Sequence, residues 1–339
     1  MNRLTILATA LLLPFGAFAQ QDAPGMVADV VENHILPRVD ALAEQAHTLA
    51  DVAQEDCEIA SPTLRAAYQD SFDAWVSASH LRFGPTEVGD RGFALAFWPD
   101  SRGATPRALA GLIADRDPVI DTPEGFAQVS IAARGFYALD YLIYDTDMTD
   151  RADGAYVCGL VRAVTGDIAT TAGSIRADWH DSYAAEMTDP GPDAAYRSDQ
   201  EVLQQLFTAL TSGLEFTAET RLGRPLGTFE RSYPARAEAW RSGRSARHVR
   251  LSLVSLRDLA DRLAAGHPEV TQSLDDAFDK ALARLDALDD PVFAGVAEPQ
   301  SRLKIEVIQQ DIEAIRSLAR SDLGPTLGVA AGFNSLDGD

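Results

Sequence analysis

Val31-Glu32-Asn33-His34-Ile35-Leu36-Pro37-Arg38-Val39-Asp40-Ala41-Leu42, continued through Ala46, Leu49 and Ala53, puts an apolar residue at every third or fourth position. Val31, Ile35, Val39, Leu42, Ala46, Leu49 and Ala53 thus share one stripe of a 3.6-residue helix, and the spacing predicts a helix over about residues 26–56. Pro37 has no N–H and its ring crowds the preceding turn, so a kink is expected there. The same period recurs at Leu64, Tyr68, Phe72, Trp75 and Ser79, in a helix that should stop at Phe83-Gly84-Pro85. Ser61-Pro62, Thr105-Pro106 and Thr122-Pro123 each offer a hydroxyl N-cap followed by proline at the first helical position, which marks three helix starts. The third of these should run over residues 123–144, and another helix over 156–187. Thr188-Asp189-Pro190-Gly191-Pro192-Asp193 then breaks the pattern.

Beyond the break, the helical period returns at Leu203, Phe207, Leu210 and Leu214, and at Val249, Leu253, Leu256, Leu259 and Leu263. It returns again at Val270, Leu274, Phe278, Leu282 and Leu285, and last at Leu303, Ile308, Ile312, Ile315 and Leu318. No stretch alternates with period two for long enough to read as a strand. The chain therefore reads as all-α, with two packed helical-bundle halves of the four-helix kind at residues 20–190 and 191–339.

Met1-Asn2-Arg3, an apolar run to Phe18 and Ala17-Phe18-Ala19 have the order of a secretory signal, with cleavage expected after Ala19. The run is too short to span a bilayer, and no other segment is long and apolar enough. Among 339 residues the formal charge is −22, which disfavours nucleic acid and anionic membrane surfaces as partners. Export into an oxidising compartment makes one disulfide between Cys57 and Cys158 the expectation, as a clamp between two helical segments.

Tyr137 and Asp140, in Gly135-Phe136-Tyr137-Ala138-Leu139-Asp140, stand three residues apart on one helical face, a spacing that suits two metal ligands. A phenolate and a carboxylate fit a hard ion such as ferric iron, and tyrosine also serves as an axial haem ligand. A free phenol titrates near pH 10, so a metal or a strong positive field has to lower it first. Two ligands do not complete a site, and His80, Asp100 and Glu238 are the candidates for the rest. The six histidines contain no i, i+4 pair, so none forms a self-contained metal site. Trp98, Asp100 and Arg102 combine a stacking surface with charge, as a ligand cleft requires, and Trp240, Arg241 and Ser245 repeat that combination in the second half. Asp100 and Arg102 would equally pin their loop to the bundle, and Ser242 would equally cap a helix. Catalytic signatures such as His-Glu-x-x-His or Gly-x-Ser-x-Gly do not occur.

Six segments in order carry a wider likeness: Ile35-Leu36-Pro37, Arg82-Phe83-Gly84-Pro85, Phe97-Trp98-Pro99-Asp100-Ser101-Arg102-Gly103, the Gly135 to Asp140 motif, Glu238-Ala239-Trp240-Arg241-Ser242-Gly243-Arg244-Ser245, and Gly332-Phe333-Asn334-Ser335-Leu336-Asp337-Gly338-Asp339. Together they resemble the imelysin-like family over nearly the whole chain after the signal. The resemblance implies two packed helical bundles, export to the cell envelope and association with iron or haem acquisition. The family also carries a peptidase label, and some relatives bind an anionic polysaccharide. Its Gly-x-His-x-x-Glu signature is altered here, with Tyr137 in place of the histidine and Asp140 in place of the glutamate.

The reading is a periplasmic, non-enzymatic binding protein with its site between the two halves. Ferric iron or haem is the expected ligand, and an envelope iron transporter or receptor the expected partner. A metallopeptidase is the first alternative, weakened by loss of the nitrogen ligand. The second is a binder of acidic polysaccharide, which would need arginines such as Arg102, Arg241 and Arg244 to converge.

Overall fold

A computed structural model describes residues 23–149 and 153–329, and among them every regular element is a helix. The expected signal at 1–19 and the tail at 333–339 lie outside the described residues. Leu36–Glu55, Pro62–Ala78, Gly135–Tyr144 and Gly154–Asp178 pack together as one half, and Asp199–Glu215, Ser245–Leu263, Pro268–Asp286 and Pro299–Leu318 as the other. The halves join where Pro62–Ala78 lies on Ser245–Leu263, and the short Ala23–Val30 helix also reaches across to the second half. Their apolar stripes meet in one continuous core. Leu42, Leu49, Phe72, Phe136 and Ile168 on one side, and Leu206, Leu253, Phe278 and Ile312 on the other, are each at most 1% exposed. Full burial of one such side chain contributes about 1.5–3 kcal/mol. No helix among the described residues is long and apolar enough to cross a membrane.

All seven stripe residues of the first helix are buried. Pro37 acts one turn earlier than its own position, as a π turn at Val31–Ile35 in which the Leu36 N–H reaches the Val31 carbonyl. Proline cannot donate the N–H that would close on Asn33, so the ladder widens there. Arg38 Nη1 covers the His34 carbonyl at 2.7 Å. Leu303, expected on the last stripe, is 59% exposed, and Ile305 is buried in its place.

Ser61 caps its helix as expected, accepting from the Leu64 N–H at 3.3 Å. Thr122 also caps, accepting from the Gly125 N–H at 3.2 Å, but the helix it starts is only Pro123–Phe126. The expected continuous helix over 123–144 is therefore broken. The chain bends through a 3₁₀ turn at Ile131–Ala133 and restarts at Gly135, whose φ is 73°. A Cβ at Gly135 would lie 2.2 Å from the Leu95 carbonyl oxygen and 2.3 Å from that of Ala94. Glycine alone lets the helix begin so close to a crossing backbone, and the motif opens a helix rather than sitting in the middle of one. The cap expected from Thr105 comes instead from Asp100, whose carboxylate accepts from the Ala104 and Thr105 N–H groups, both at 2.8 Å. Cys57 and Cys158 are bonded, with Cα atoms 5.1 Å apart, and tie the end of the first long helix to the start of Gly154–Asp178.

Candidate functional site

Because Gly135 starts its helix at the seam between the halves, Tyr137, Asp140 and Tyr141 share one face of it, at i, i+3 and i+4. They form one wall of a cavity of about 100 Å³, which loop 97–105 and segment 235–241 close. Of the eight residues expected in a metal pair or ligand cleft, Trp98, Asp100, Tyr137, Asp140, Trp240 and Arg241 line this cavity. Arg102 and Ser245 do not. Arg102 is exposed, on the turn that Asp100 ties down. Ser245 is buried at a helix start, where its hydroxyl donates to the Glu238 carbonyl at 2.6 Å.

Beneath the cavity, the Tyr137 hydroxyl donates to Glu238 Oε1. The other Glu238 oxygen receives Arg221 Nε at 2.7 Å, and His248 Nδ1 lies 3.3 Å from it. Arg221 and Glu238 are 3% and 2% exposed. Arg221 also reaches the Ser252 and Ser79 hydroxyls, each at 3.3 Å. Burial pushes the Glu238 carboxyl upward, but the Arg221 charge, His248 and the Tyr137 hydroxyl outweigh it and bring it down to about 2. Burial and the Glu238 charge hold the Tyr137 phenol well above its ordinary value. Asp140 accepts from the Tyr68 hydroxyl at 3.0 Å, and burial raises its carboxyl.

The expected metal pair does not fit a metal in this geometry. Tyr137 keeps its proton and shares it with Glu238 in a hydrogen bond, while Arg221 already supplies the positive charge a cation would bring. No group of three His, Cys, Asp or Glu side chains able to hold a metal occurs among the described residues. His80, proposed as a third ligand, is hydrogen-bonded elsewhere: its Nε2 is 2.8 Å from His34 Nε2, and His34 Nδ1 is 2.7 Å from Asp258.

The cavity wall is aromatic and basic. Trp98 stacks on Tyr137 with ring centroids 6.0 Å apart. Arg241 pairs with Asp145 at 2.9 Å and lies 3.8 Å over the Tyr141 ring and 4.7 Å over Trp240. Arg224 and Arg236 complete the lining. Sequence reasoning named Glu238 but missed Arg221, Arg224, Arg236 and His248. A signal existed for Arg221: it falls in helical phase with Leu214 and Ala218, where an apolar residue is otherwise expected.

A sequence model of the family described as imelysin matches residues 35–319. The chain is 22% identical over 271 residues to iron-regulated protein A of Synechococcus elongatus, a match covering 74% of this chain and 70% of that protein. An imelysin-like protein from Psychrobacter arcticum superposes with a TM-score of 0.77 at 24% identity, over 92% of this chain and 97% of its own. An iron-regulated protein A precursor from Parabacteroides distasonis gives 0.72 at 12% identity, over 88% and 94%.

Proposed function

Given that the chain belongs to the imelysin family, we propose that it is an exported, non-enzymatic binding protein that serves iron acquisition by holding a small ligand in the cleft between its halves. The observation that carries this reading is the convergence of Trp98, Asp100, Tyr137, Asp140, Trp240 and Arg241, drawn from both halves, on one cavity. The titratable groups at its floor favour holding over reacting, because Tyr137, Glu238 and Arg221 satisfy one another and Asp140 is satisfied by Tyr68. Tyr137 and Asp140 enter this reading as wall residues rather than as a metal pair. Iron then arrives as cargo already held by a small chelator, and an envelope transporter or receptor takes it on. Export is supported by the signal-like order of residues 1–19 and by the Cys57–Cys158 bond. The names of two relatives link the family to iron regulation.

Titration of the mature protein with ferric citrate, ferric salt and haem, followed by Trp98 and Trp240 fluorescence and by visible absorbance, tests the reading. A saturable change with ferric citrate, without a tyrosinate-to-iron band, is expected. If no form of iron perturbs the protein, or if it cleaves an unfolded substrate in a chelator-sensitive way, the reading fails.

A further inference from the structure

Arg224 and Arg236 both line the cavity, and their charges act on one another. Among the described residues neither guanidinium has a carboxylate within ion-pair distance, whereas most other arginines near the seam, such as Arg221, Arg241 and Arg244, are paired. The Arg224 Nε is buried and has no hydrogen-bond partner among the described residues. Its guanidinium lies 5.8 Å over the Trp98 ring, and that of Arg236 lies 3.8 Å over Tyr233. Two like charges facing one small cavity, one of them with an orphaned donor, are unfavourable unless an anion joins them.

The Asp100 charge acts on Arg224, but among the described residues none of the nearby acidic groups closes an ion pair with either arginine. Asp100 spends its carboxylate on the N–H groups of Arg102, Ala104 and Thr105, and Asp140 turns to Tyr68. Arg241 is already matched by Asp145. In a chain of net charge −22, this is a local positive focus walled by aromatic rings.

Resting on the binding-protein reading above, we propose that the cleft recognises a compact multivalent oxyanion, a polycarboxylate or a phosphate, which Arg224 and Arg236 grip through planar guanidinium forks while Trp98 and Tyr233 hold those forks in place. The small cavity favours a compact molecule over a polymer chain. Such a ligand would neutralise both arginines and satisfy the orphaned Nε at once.

Calorimetric titration of the mature protein at low salt with metal-free citrate, inorganic phosphate, glycerol, a uronate polymer and ferric salt tests this. Citrate, phosphate or both should bind saturably and more weakly as salt rises, while glycerol gives no heat of binding. The tighter of the two anions identifies the headgroup. Arg236→Gln, at an exposed position, should weaken binding about tenfold or more, as should Arg224→Gln. Arg250→Gln, outside the cavity lining and paired with Asp286 on the second half, should change it less than about twofold. If Arg224→Gln fails to fold, Arg236→Gln alone carries the test. Absence of saturable binding, binding indifferent to Arg236→Gln, or binding only of a uronate polymer overturns the proposal. If ferric salt binds in the cleft while metal-free oxyanions do not, this inference falls and the binding-protein reading stands.

Discussion

Arg221→Met strips the buried floor of its cation and leaves the Glu238 carboxylate with only the Tyr137 hydroxyl and His248. Arg221 and Glu238 are 3% and 2% exposed, and removing one partner of so buried a pair costs about 3–5 kcal/mol, because the stranded charge cannot be solvated. At about 2.1 cal/mol/K per residue, the unfolding entropy of a chain of 339 residues is about 0.7 kcal/mol/K, so Tm should fall by about 4–7 °C. The pH dependence sharpens the test. In the native protein Glu238 titrates at about 2 against an unfolded value of 4.5. It therefore stabilises the fold fully above pH 4.5, and that contribution, on the order of 3 kcal/mol, is lost as pH falls toward 2. Without Arg221 the carboxyl can take up a proton at mild acidity, so the gap between wild type and variant should narrow from pH 7 to about pH 3. Arg221→Met combined with Glu238→Gln should cost less than Arg221→Met alone, because no buried charge remains. Thermal unfolding followed by circular dichroism at both pH values measures all three. A drop under about 1 kcal/mol, a gap that does not narrow, or a double variant as damaged as the sum of the two singles would refute the account.

Gly135→Ala should destabilise by at least about 3 kcal/mol, combining left-handed strain with a clash against two backbone carbonyls. Gly166→Ala, in mid-helix with nothing within 4 Å of the added carbon, should instead stabilise by about 0.5–1 kcal/mol, and denaturant midpoints compare the two. Cys57→Ser should cost about 2–5 kcal/mol, since the bridge closes a separation of 101 residues, and a reductant should lower the wild-type Tm to match. Burial drives His34 down to about 4 from 6.5, so its neutral form stabilises the fold fully above pH 6.5, and stability is lost as pH falls from there toward 4. Burial also holds His80 well below its ordinary value, so His34→Asn should make that part of the profile shallower without abolishing it, and an unchanged slope in urea titrations across this range would place the acid sensitivity elsewhere.

The helices were legible because burial follows apolar period, and Val31 to Ala53 met that rule at every expected position. The 123–144 break was not legible, because Phe126, Val129, Ala133 and Phe136 step by three and four and keep the period running through a bend that depends on where residues 91–95 cross. The phase of a stripe also hides π turns: Val31 and Ile35 stay buried whether the ladder closes at four residues or five. In the cleft, aromatic and acidic residues stood out within recognisable segments. Arg221 and Arg224 did not, since a lone arginine reads as solvated until its partners, Glu238 17 residues away for Arg221 and the distant Trp98 ring for Arg224, are placed in space.

The exchange at position 137 changes what the whole floor can do. A neutral imidazole presents a lone pair to a metal, whereas a buried phenol at neutral pH presents a proton, and a carboxylate is its natural acceptor. Once Tyr137 donates to one Glu238 oxygen and Arg221 to the other, that carboxylate is neutralised within the protein and no longer attracts a cation. The charge the cleft shows a ligand is then set by the groups left over, and these are Arg224 and Arg236. Under the reading proposed above, a tyrosine where the resemblance places a histidine, paired with a buried arginine, moves the site's preference from cations toward the anions that carry them.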